Sequence, residues 1–214
     1  MVEGYGLTEA SPVCTCNPLK GENKEGSIGR PLPGTEIEVR SLDRPEQTMP
    51  LGEKGEVCIR GPQVMPGYWQ NETATAETFV DGWLRTGDVG YQDEDGYTFL
   101  VDRLKDVILC SGYNVYPRAI EEALYLHDQI AEVTCIGVPD QYRGQAPKAF
   151  VRLKDGVTDV TAQDLRAFLD DKISRIEMPR EIEIRDELPK TMVGKLSKKE
   201  LVEEERQKRE ENTA

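Results

Sequence analysis

The first half of the chain alternates between apolar and polar residues in short runs. Residues 35–40 (TEIEVR), 55–61 (GEVCIRG) and 96–102 (GYTFLVD) show this alternation, and Gly, Pro or Asp residues bound the runs. A period of two between turn residues is typical of half-buried antiparallel strands. The pattern therefore predicts a small β-barrel or meander in this half.

The pattern changes after Arg103, where helical spacing begins to alternate with strand-like runs. One helix is predicted over residues 117–126, because Pro117 suits a first helical turn and the apolar residues that follow share a face. A second helix is predicted after Thr161, which is a suitable N-cap. The charged stretch from Ser197 onward predicts a helix that begins at Leu201 and frays into a solvated tail.

Three further runs in the second half are apolar enough to be strands: residues 131–138 (AEVTCIGV), 148–153 (KAFVRL) and 180–188 (REIEIRDEL). The resulting order of helix, strand, strand, helix, strand indicates an α+β sandwich. We therefore expect an α+β protein with two domains, residues 1–102 and residues 103–214.

Composition narrows the possible functions. A formal net charge of −13 disfavours a nucleic-acid partner, because a polyanion would be repelled. The single histidine, His127, argues against a His-rich metal site or a serine-type triad. The odd number of cysteines, five, favours reduced thiols and a cytoplasmic protein. We also expect no leader and no transmembrane segment, since no apolar run approaches the roughly 18 residues that a spanning helix needs.

Two glycine-containing segments in the first half are predicted to be ligand-binding loops. In residues 4–9 (GYGLTE), Gly4 and Gly6 allow close backbone approach, Tyr5 offers a stacking face, Thr8 a hydroxyl and Glu9 a hard oxygen ligand for Mg²⁺. Taken alone, this segment favours a plain turn. In residues 83–88 (WLRTGD), Asp88 is suited to accept hydrogen bonds from two adjacent ribose hydroxyls, although an aspartate in a turn is the simpler reading.

Two charged segments follow. Residues 102–106 (DRLKD) lie where the composition changes, so they suggest either an interdomain hinge with a ligand contact or a solvated hairpin turn. Residues 188–196 (LPKTMVGKL) form a predicted loop in which Lys195 is placed to put a positive charge on a carboxylate or phosphate, unless it is simply a solvated lysine.

Taken together and in this order, these segments closely resemble the adenylate-forming superfamily of acyl-CoA synthetases, luciferases and nonribosomal-peptide adenylation domains. The resemblance spans essentially the whole chain, and the sequence pattern looks most like that of a bacterial fatty-acid CoA ligase. It rests on GYGLTEASP (4–12), GEVCIRGPQVMPGYW (55–69), DGWLRTGDVGYQDEDGYTFLVDRLKDVI (81–108), SGYNVYPRAIEEAL (111–124) and LPKTMVGKL (188–196).

The resemblance implies a reaction in two steps. A carboxylate attacks the α-phosphate of ATP to give an acyl-adenylate and pyrophosphate, and the thiol of CoA then displaces AMP. The small-molecule partners are thus a carboxylic acid, ATP and CoA, with Mg²⁺. The resemblance assigns adenine packing to Tyr5, contact with phosphate or acyl-adenylate to Thr8, and Mg²⁺ binding to Glu9. It assigns ribose binding to Asp88 and Arg103, and the interdomain hinge to Lys105. Lys195 would serve adenylation, and the loop of Ser111, Gly112 and Tyr113 would line the entry of the thiol.

One expected part of the family pattern is missing. The Ser/Thr/Gly-rich phosphate loop of the family belongs well upstream of residues 4–9, so we expect the chain to be a truncated form or proteolytic remainder that is inactive alone. In that case residues 1–102 are the end of the large AMP-binding domain, and residues 103–214 are the small mobile carboxyl-terminal domain. Apolar surface that the missing body covers would then promote association, so a homo-oligomer is possible.

Several alternatives stay open. An aryl or phenylpropanoid acid:CoA ligase, or an adenylation module that loads a carrier protein, fits the same superfamily. A non-catalytic nucleotide-binding or interaction module is the alternative from another class. Two departures from the family pattern, Gln145 where relatives often have glutamate and Glu177 where lysine is frequent, leave open whether a contact with CoA differs here.

Overall fold

The computed structural model describes residues 2–192 and 194–211. The chain divides into two compact units, Met1–Lys105 and Asp106–Ala214. Both units combine sheets with helices, so the predicted α+β class is confirmed.

The first unit contains two antiparallel sheets. The strands are β1 (Gly4–Gly6), β2 (Val13–Cys16), β3 (Arg30–Pro31), β4 (Glu36–Arg40), β5 (Gly55–Arg60), β6 (Phe79–Val80), β7 (Trp83–Gln92) and β8 (Thr98–Arg103). The three-stranded sheet has the order β1-β2-β3. The five-stranded sheet has the order β4-β5-β7, and both β6 and β8 pair with the far edge of β7. The helix α1 (Glu72–Thr78) precedes β6. The predicted strands in this half thus form a meander, and their alternating residues supply its core, which includes Ile37, Val57, Ile59 and Leu84.

The second unit is one five-stranded sheet covered by helices. Its elements are β9 (Ile108–Cys110), β10 (Tyr113–Val115), α2 (Pro117–Tyr125), β11 (Ile130–Asp140), β12 (Gly144–Leu153), α3 (Ala162–Leu169), β13 (Glu181–Ile184) and α4 (Lys198–Glu211). The sheet order is β10-β9-β12-β11, and β13 pairs with β12 in parallel. Its main core combines strand residues with the buried faces of α2 and α3, including Ile120, Leu124, Val151, Leu165 and Leu169.

The helix starts follow the sequence signals. Pro117 occupies the first turn of α2, and Thr161 caps α3 in a reciprocal capping box with Asp164. The last helix begins at Lys198 rather than at the predicted Leu201. Ser197 precedes it and Glu200 lies in its first turn, a spacing typical of a helix start that the prediction did not use. Leu201 is fully buried and anchors α4 to a small second core with Ile136, Phe150 and Leu188.

A buried lysine links three elements of the second unit. Lys148 on β12 is 3% exposed, and its Nζ lies 3.0 Å from Glu181 and 2.8 Å from Glu183 on β13, and 3.1 Å from Glu205 on α4. Burial alone would lower the pKa of Lys148, but the hydrogen bonds that its amino group donates to the carboxylates outweigh burial and raise it. The lysine is therefore a charged residue enclosed by acidic partners.

The cysteines of the protein are free thiols, as predicted. Cys14, Cys58, Cys110 and Cys135 are buried, and Cys16 is half-buried. Burial raises the pKa of Cys58 to about 12, which makes its thiol unreactive. Among the described residues, no helix is long and apolar enough to cross a membrane.

Candidate nucleotide-binding site

Asp88 lies in a bulge of β7 and not in the loop that the sequence suggested. β5 pairs with β7 at Glu56↔Val89 and at Cys58↔Arg85, so the register shifts between them and residues 86–88 bulge outward. Gly87 adopts a φ of 72° there, a left-handed conformation that glycine tolerates. The prediction of a loop was wrong because the strand pairs with β5 and with β8 on either side of the bulge.

The bulge is held in shape by its own threonine. The Thr86 hydroxyl donates to the Val57 carbonyl at 2.7 Å and accepts the backbone N–H of Asp88 at 3.1 Å. These two bonds replace ladder bonds that the bulge interrupts. The bulge therefore fixes the backbone of Asp88 and, with it, the direction of the Asp88 side chain.

The Asp88 carboxylate joins two other predicted site residues. The Tyr5 hydroxyl donates to Oδ2 of Asp88 at 2.5 Å, and Nε of Arg103 lies 3.4 Å from Oδ1. β1 carries Tyr5, and the pairing of β7 with β8 sets Arg103 directly opposite Asp88. Burial first and the Asp88 carboxylate second raise the pKa of the Tyr5 hydroxyl far above its usual value, so this group is a hydrogen-bond donor at neutral pH.

The two glycines beside Tyr5 serve the packing of the chain itself. A Cβ at Gly6 would lie 1.6 Å from the Pro12 carbonyl oxygen, and one at Gly4 would lie 3.2 Å from the Thr15 carbonyl oxygen. Only glycine fits at residue 6, because β1 turns back closely against the start of β2. These contacts explain the glycines without a ligand, and they keep Tyr5 in place.

Glu9 and Thr8 follow in a short 3-10 helix, Thr8–Ala10. Glu9 is half-buried, and its Oε1 accepts a hydrogen bond of 2.8 Å from the Tyr68 hydroxyl, which raises the pKa of Tyr68. Thr8 is exposed, and its carbonyl accepts the N–H of Ser11. Within residues 2–192 and 194–211, no group of three or more His, Cys, Asp and Glu side chains is arranged to hold a metal ion.

Sequence reasoning missed two residues of this region, Glu56 and Tyr68. Glu56 is 2% exposed, its Oε2 accepts from Nε of Arg85 at 2.9 Å, and its Oε1 accepts the N–H of Gly87 at 3.0 Å. Together with Glu9 they line a cavity of about 250 Å³ next to the bulge. The one sequence signal for Glu56 is its position at the start of an apolar strand. A glutamate buried there needs hydrogen-bonding or charged partners.

The second unit carries Lys195 in a tight turn. The N–H of Thr191 donates to the Lys195 carbonyl at 2.7 Å, the N–H of Gly194 donates to the Thr191 carbonyl at 2.8 Å, and Lys190 pairs with Leu196 across the turn. The predicted loop is thus confirmed, with Lys195 exposed. Of the residues in that segment, Val193 lies outside the described part.

The remaining predicted residues are Lys105 in the first unit and the loop of Ser111, Gly112 and Tyr113 in the second. Lys105 is exposed in a 3-10 turn, Leu104–Asp106, and is the last residue of the first unit. Ser111 and Gly112 form the two-residue turn between β9 and β10, with φ of 52° and 82°, and Tyr113 follows it with 65% of its surface exposed. The sequence did not predict this short hairpin.

Two family models match this chain. The family model for AMP-binding enzymes matches residues 1–69, and the model for the AMP-binding enzyme C-terminal domain matches residues 119–195. The chain therefore belongs to the adenylate-forming family of AMP-binding enzymes.

Its relatives within that family include fatty-acid ligases. The chain is 50% identical over 205 residues to a long-chain-fatty-acid–CoA ligase of Bacillus subtilis and 44% identical over 208 residues to one of Escherichia coli O6:H1. These alignments cover 96% and 97% of this chain but 36% of each relative. The chain thus spans about a third of the length of these curated relatives.

Solved structures show the same fold. ATP-bound MatB from Rhodopseudomonas palustris is similar with a TM-score of 0.88 at 33% identity, covering 95% of this chain and 40% of that one. The o-succinylbenzoate CoA synthetase (MenE) from Bacillus subtilis in complex with the acyl-adenylate intermediate OSB-AMP is similar with a TM-score of 0.82 at 31% identity, covering 94% and 40%.

Proposed function

We propose that this chain is part of an ATP-dependent acid:CoA ligase that activates a medium- or long-chain fatty acid. The acid attacks the α-phosphate of ATP to give an acyl-adenylate and pyrophosphate, and CoA then displaces AMP. The fatty-acid substrate is supported by the ligases of Bacillus subtilis and Escherichia coli that the chain resembles. The free thiols support a cytoplasmic location.

The observation that carries this proposal is the Asp88 carboxylate between Tyr5 and Arg103. Each carboxylate oxygen has two lone pairs, so Asp88 can accept from a ribose diol while it keeps its own partners. Tyr5 then presents its ring to the adenine, and Arg103 neutralises the carboxylate and contacts the same ribose. Gly4 and Gly6 fix the strand that carries Tyr5.

Glu9 and Thr8 are assigned to the phosphates. One carboxylate is a suitable protein ligand for Mg²⁺, because this ion is commonly held by one or two carboxylates together with substrate phosphates and water. Glu9 would hold the ion, which neutralises phosphate charge during attack by the acid. Thr8 is exposed and offers its hydroxyl to a phosphate or acyl-adenylate oxygen.

Three segments around and within the second unit complete the assignment. Lys195 supplies a positive charge to the α-phosphate as negative charge develops there. Lys105 is the hinge, and the loop of Ser111, Gly112 and Tyr113 lines the entry of the CoA thiol. The first unit corresponds to the end of the large AMP-binding domain, and the second to the small mobile carboxyl-terminal domain.

The test replaces the matching segment of the Bacillus subtilis relative with this chain and measures acid-dependent release of pyrophosphate. We expect the exchanged enzyme to be active, and Lys195→Ala to slow adenylation by about 10²-fold or more. Lys199→Ala, which changes an exposed lysine of α4, is the matched control and should have no effect. A normal rate of adenylation in Lys195→Ala would remove Lys195 from the mechanism.

Two further measurements separate the alternatives. A panel of aliphatic and aryl acids offered to the protein that contains this chain distinguishes a fatty-acid ligase from an aryl or phenylpropanoid acid:CoA ligase. Calorimetry with AMP on this chain alone tests the non-catalytic module, which requires saturable micromolar binding. We expect the chain alone to bind AMP weakly and to leave ATP unconverted, because adenylation needs all of its groups held together.

A further inference from the structure

The hairpin of β9 and β10 is attached to the turn of a second hairpin in the same unit. This turn, the β11–β12 tip, comprises residues 141–143. The N–H of Ser111 donates to the carbonyl of Arg143 at 2.8 Å, and the N–H of Leu109 donates to Oε1 of Gln145 at 2.9 Å. Between these two bonds, Cys110 pairs with Gly144. The position of the first hairpin therefore depends on the shape of the β11–β12 tip.

The turn of Ser111 and Gly112 has a backbone conformation that is unfavourable for a non-glycine residue. Ser111 has a φ of 52° and is followed by Gly112 at 82°, as in a type I′ turn, where Asn and Gly are the preferred residues. A non-glycine residue in this conformation is less stable than in an extended one. The bond from Ser111 to the β11–β12 tip therefore contributes to holding the turn in place.

Asp140 holds the β11–β12 tip by accepting hydrogen bonds from its backbone. Its Oδ1 accepts the N–H of Arg143 at 2.8 Å and the N–H of Tyr142 at 2.9 Å, and its Oδ2 lies 3.0 Å from Nη1 of Arg180. The two backbone N–H groups and Arg180 lower the pKa of Asp140, so it is a carboxylate throughout the neutral range. Hydrogen bonds to a charged acceptor are stronger than neutral ones. Arg143 is thus held by Asp140 through its N–H while its carbonyl holds Ser111.

We infer that Asp140 is a positioning residue for the turn of Ser111 and Gly112, and through that turn for the thiol step of the ligase. Gln145 is a second support, since its side-chain oxygen holds Leu109 on the other side of the turn. This inference rests on the proposed function, which assigns the turn to the entry of CoA. Asp140 acts on this turn through the backbone of Arg143.

The first test measures amide hydrogen exchange in this chain. In Asp140→Ala we expect the Ser111 amide to exchange about tenfold faster, in line with the loss of charge-assisted bonds. Asp140→Asn keeps an oxygen for the two N–H groups and should restore most of the protection. Asp164→Ala is the matched control, because Asp164 also accepts a backbone N–H, that of Thr161, at 2.9 Å and lies outside the hairpin.

Unchanged exchange of Ser111 in Asp140→Ala would overturn the inference. Equal acceleration in Asp164→Ala would also overturn it, because the effect would then be a general loss of stability. Gln145→Leu offers an independent check, since it should accelerate exchange of Leu109, whereas Gln145→Glu should not.

The second test measures the two half-reactions in the Bacillus subtilis relative whose matching segment is replaced by this chain. Asp140→Ala should slow transfer from acyl-adenylate to CoA by about tenfold and leave acid-dependent pyrophosphate release within about twofold, because positioning affects only the step that uses the turn. Asp140→Asn should recover the transfer rate. Equal losses in both half-reactions, or no loss in transfer, would refute a role in the thiol step.

The two tests also separate this inference from the proposed function. If the unsubstituted exchanged enzyme forms no acyl-adenylate, the proposed function fails. Amide exchange in the chain alone still decides whether Asp140 holds the turn.

Discussion

Replacing Lys148 with methionine removes the positive charge that Glu181, Glu183 and Glu205 share. Methionine is unbranched and apolar, so it occupies the buried stem of the lysine with little change in packing. The three carboxylates then repel one another at the edge of the core. We expect Lys148→Met to destabilise the second unit at neutral pH.

The magnitude follows from the surroundings of Glu183. Burial opposes its ionisation, but hydrogen bonds from Lys148 and Arg185 lower its pKa from 4.5 to about 2. At about 1.4 kcal/mol for each tenfold change in acidity, its ionisation contributes at most about 3–4 kcal/mol. Because Arg185 stays 2.7 Å away and solvent reaches the carboxylates, we expect Lys148→Met to cost about 2 kcal/mol.

The loss should depend on pH in a definite direction. Glu183 has a folded pKa below its unfolded value, so its contribution is complete above 4.5 and disappears as the pH falls from 4.5 toward 2. In Lys148→Met, Glu183 loses one of its cations while Arg185 and Lys208 remain, so its pKa rises and its protonation relieves the repulsion at a higher pH than in the parent. The difference in free energy of unfolding between the two proteins should therefore shrink at about pH 4.

Urea unfolding followed by far-ultraviolet circular dichroism measures this difference, because urea does not screen charges. Both tryptophans, Trp69 and Trp83, lie in the first unit, so their fluorescence is an internal reference that Lys148→Met should leave unchanged. Lys199→Met is the control for loss of an exposed charge. Equal stability of Lys148→Met and the parent at pH 7, or an undiminished loss at about pH 4, would show that the carboxylates do not depend on Lys148.

Three further substitutions test the packing. Gly6→Ala should destabilise the first unit by about 3 kcal/mol or more, measured by tryptophan fluorescence, since its Cβ overlaps the Pro12 carbonyl; a loss no larger than that of Gly4→Ala would contradict this contact. Leu201→Ala should cost the second unit about 2–5 kcal/mol in urea unfolding because Leu201 is fully buried, and a loss below about 1 kcal/mol would mean that α4 is not anchored there. Thr161→Ala should cost about 1 kcal/mol by removing the cap of α3, and Thr161→Ser should restore it; equal stability of the two variants would argue against the capping box.

The sequence was most informative where side-chain chemistry acts locally. Pro117 and Thr161 predicted helix starts correctly because a missing N–H and a capping hydroxyl act within one turn. The strands with alternating residues were predicted for the same reason, since alternation reflects one buried face. The helix α4 begins three residues before the predicted Leu201, because the prediction did not use Ser197 and Glu200, which have the spacing of a helix start.

Long-range contacts explain what the sequence could not predict. Tyr5 and Asp88 are 83 residues apart, so their types suggested a nucleotide site but not the hydrogen bond between them. The bulge at Gly87 resembles a loop in sequence and became part of β7 only through pairing with two other strands. Glu56 gave no signal of its partners, because its burial depends on the register of β5 with β7.

The parallel pairing of β12 and β13 has a consequence for synthesis of the protein. Lys148 leaves the ribosome before Glu181 and Glu183, and Glu205 follows last of all. The nascent chain can form the β11–β12 hairpin early, but it must leave this lysine in water until the remaining residues emerge. The Lys148 amino group can therefore be buried with all three of its partners only after translation has passed residue 205.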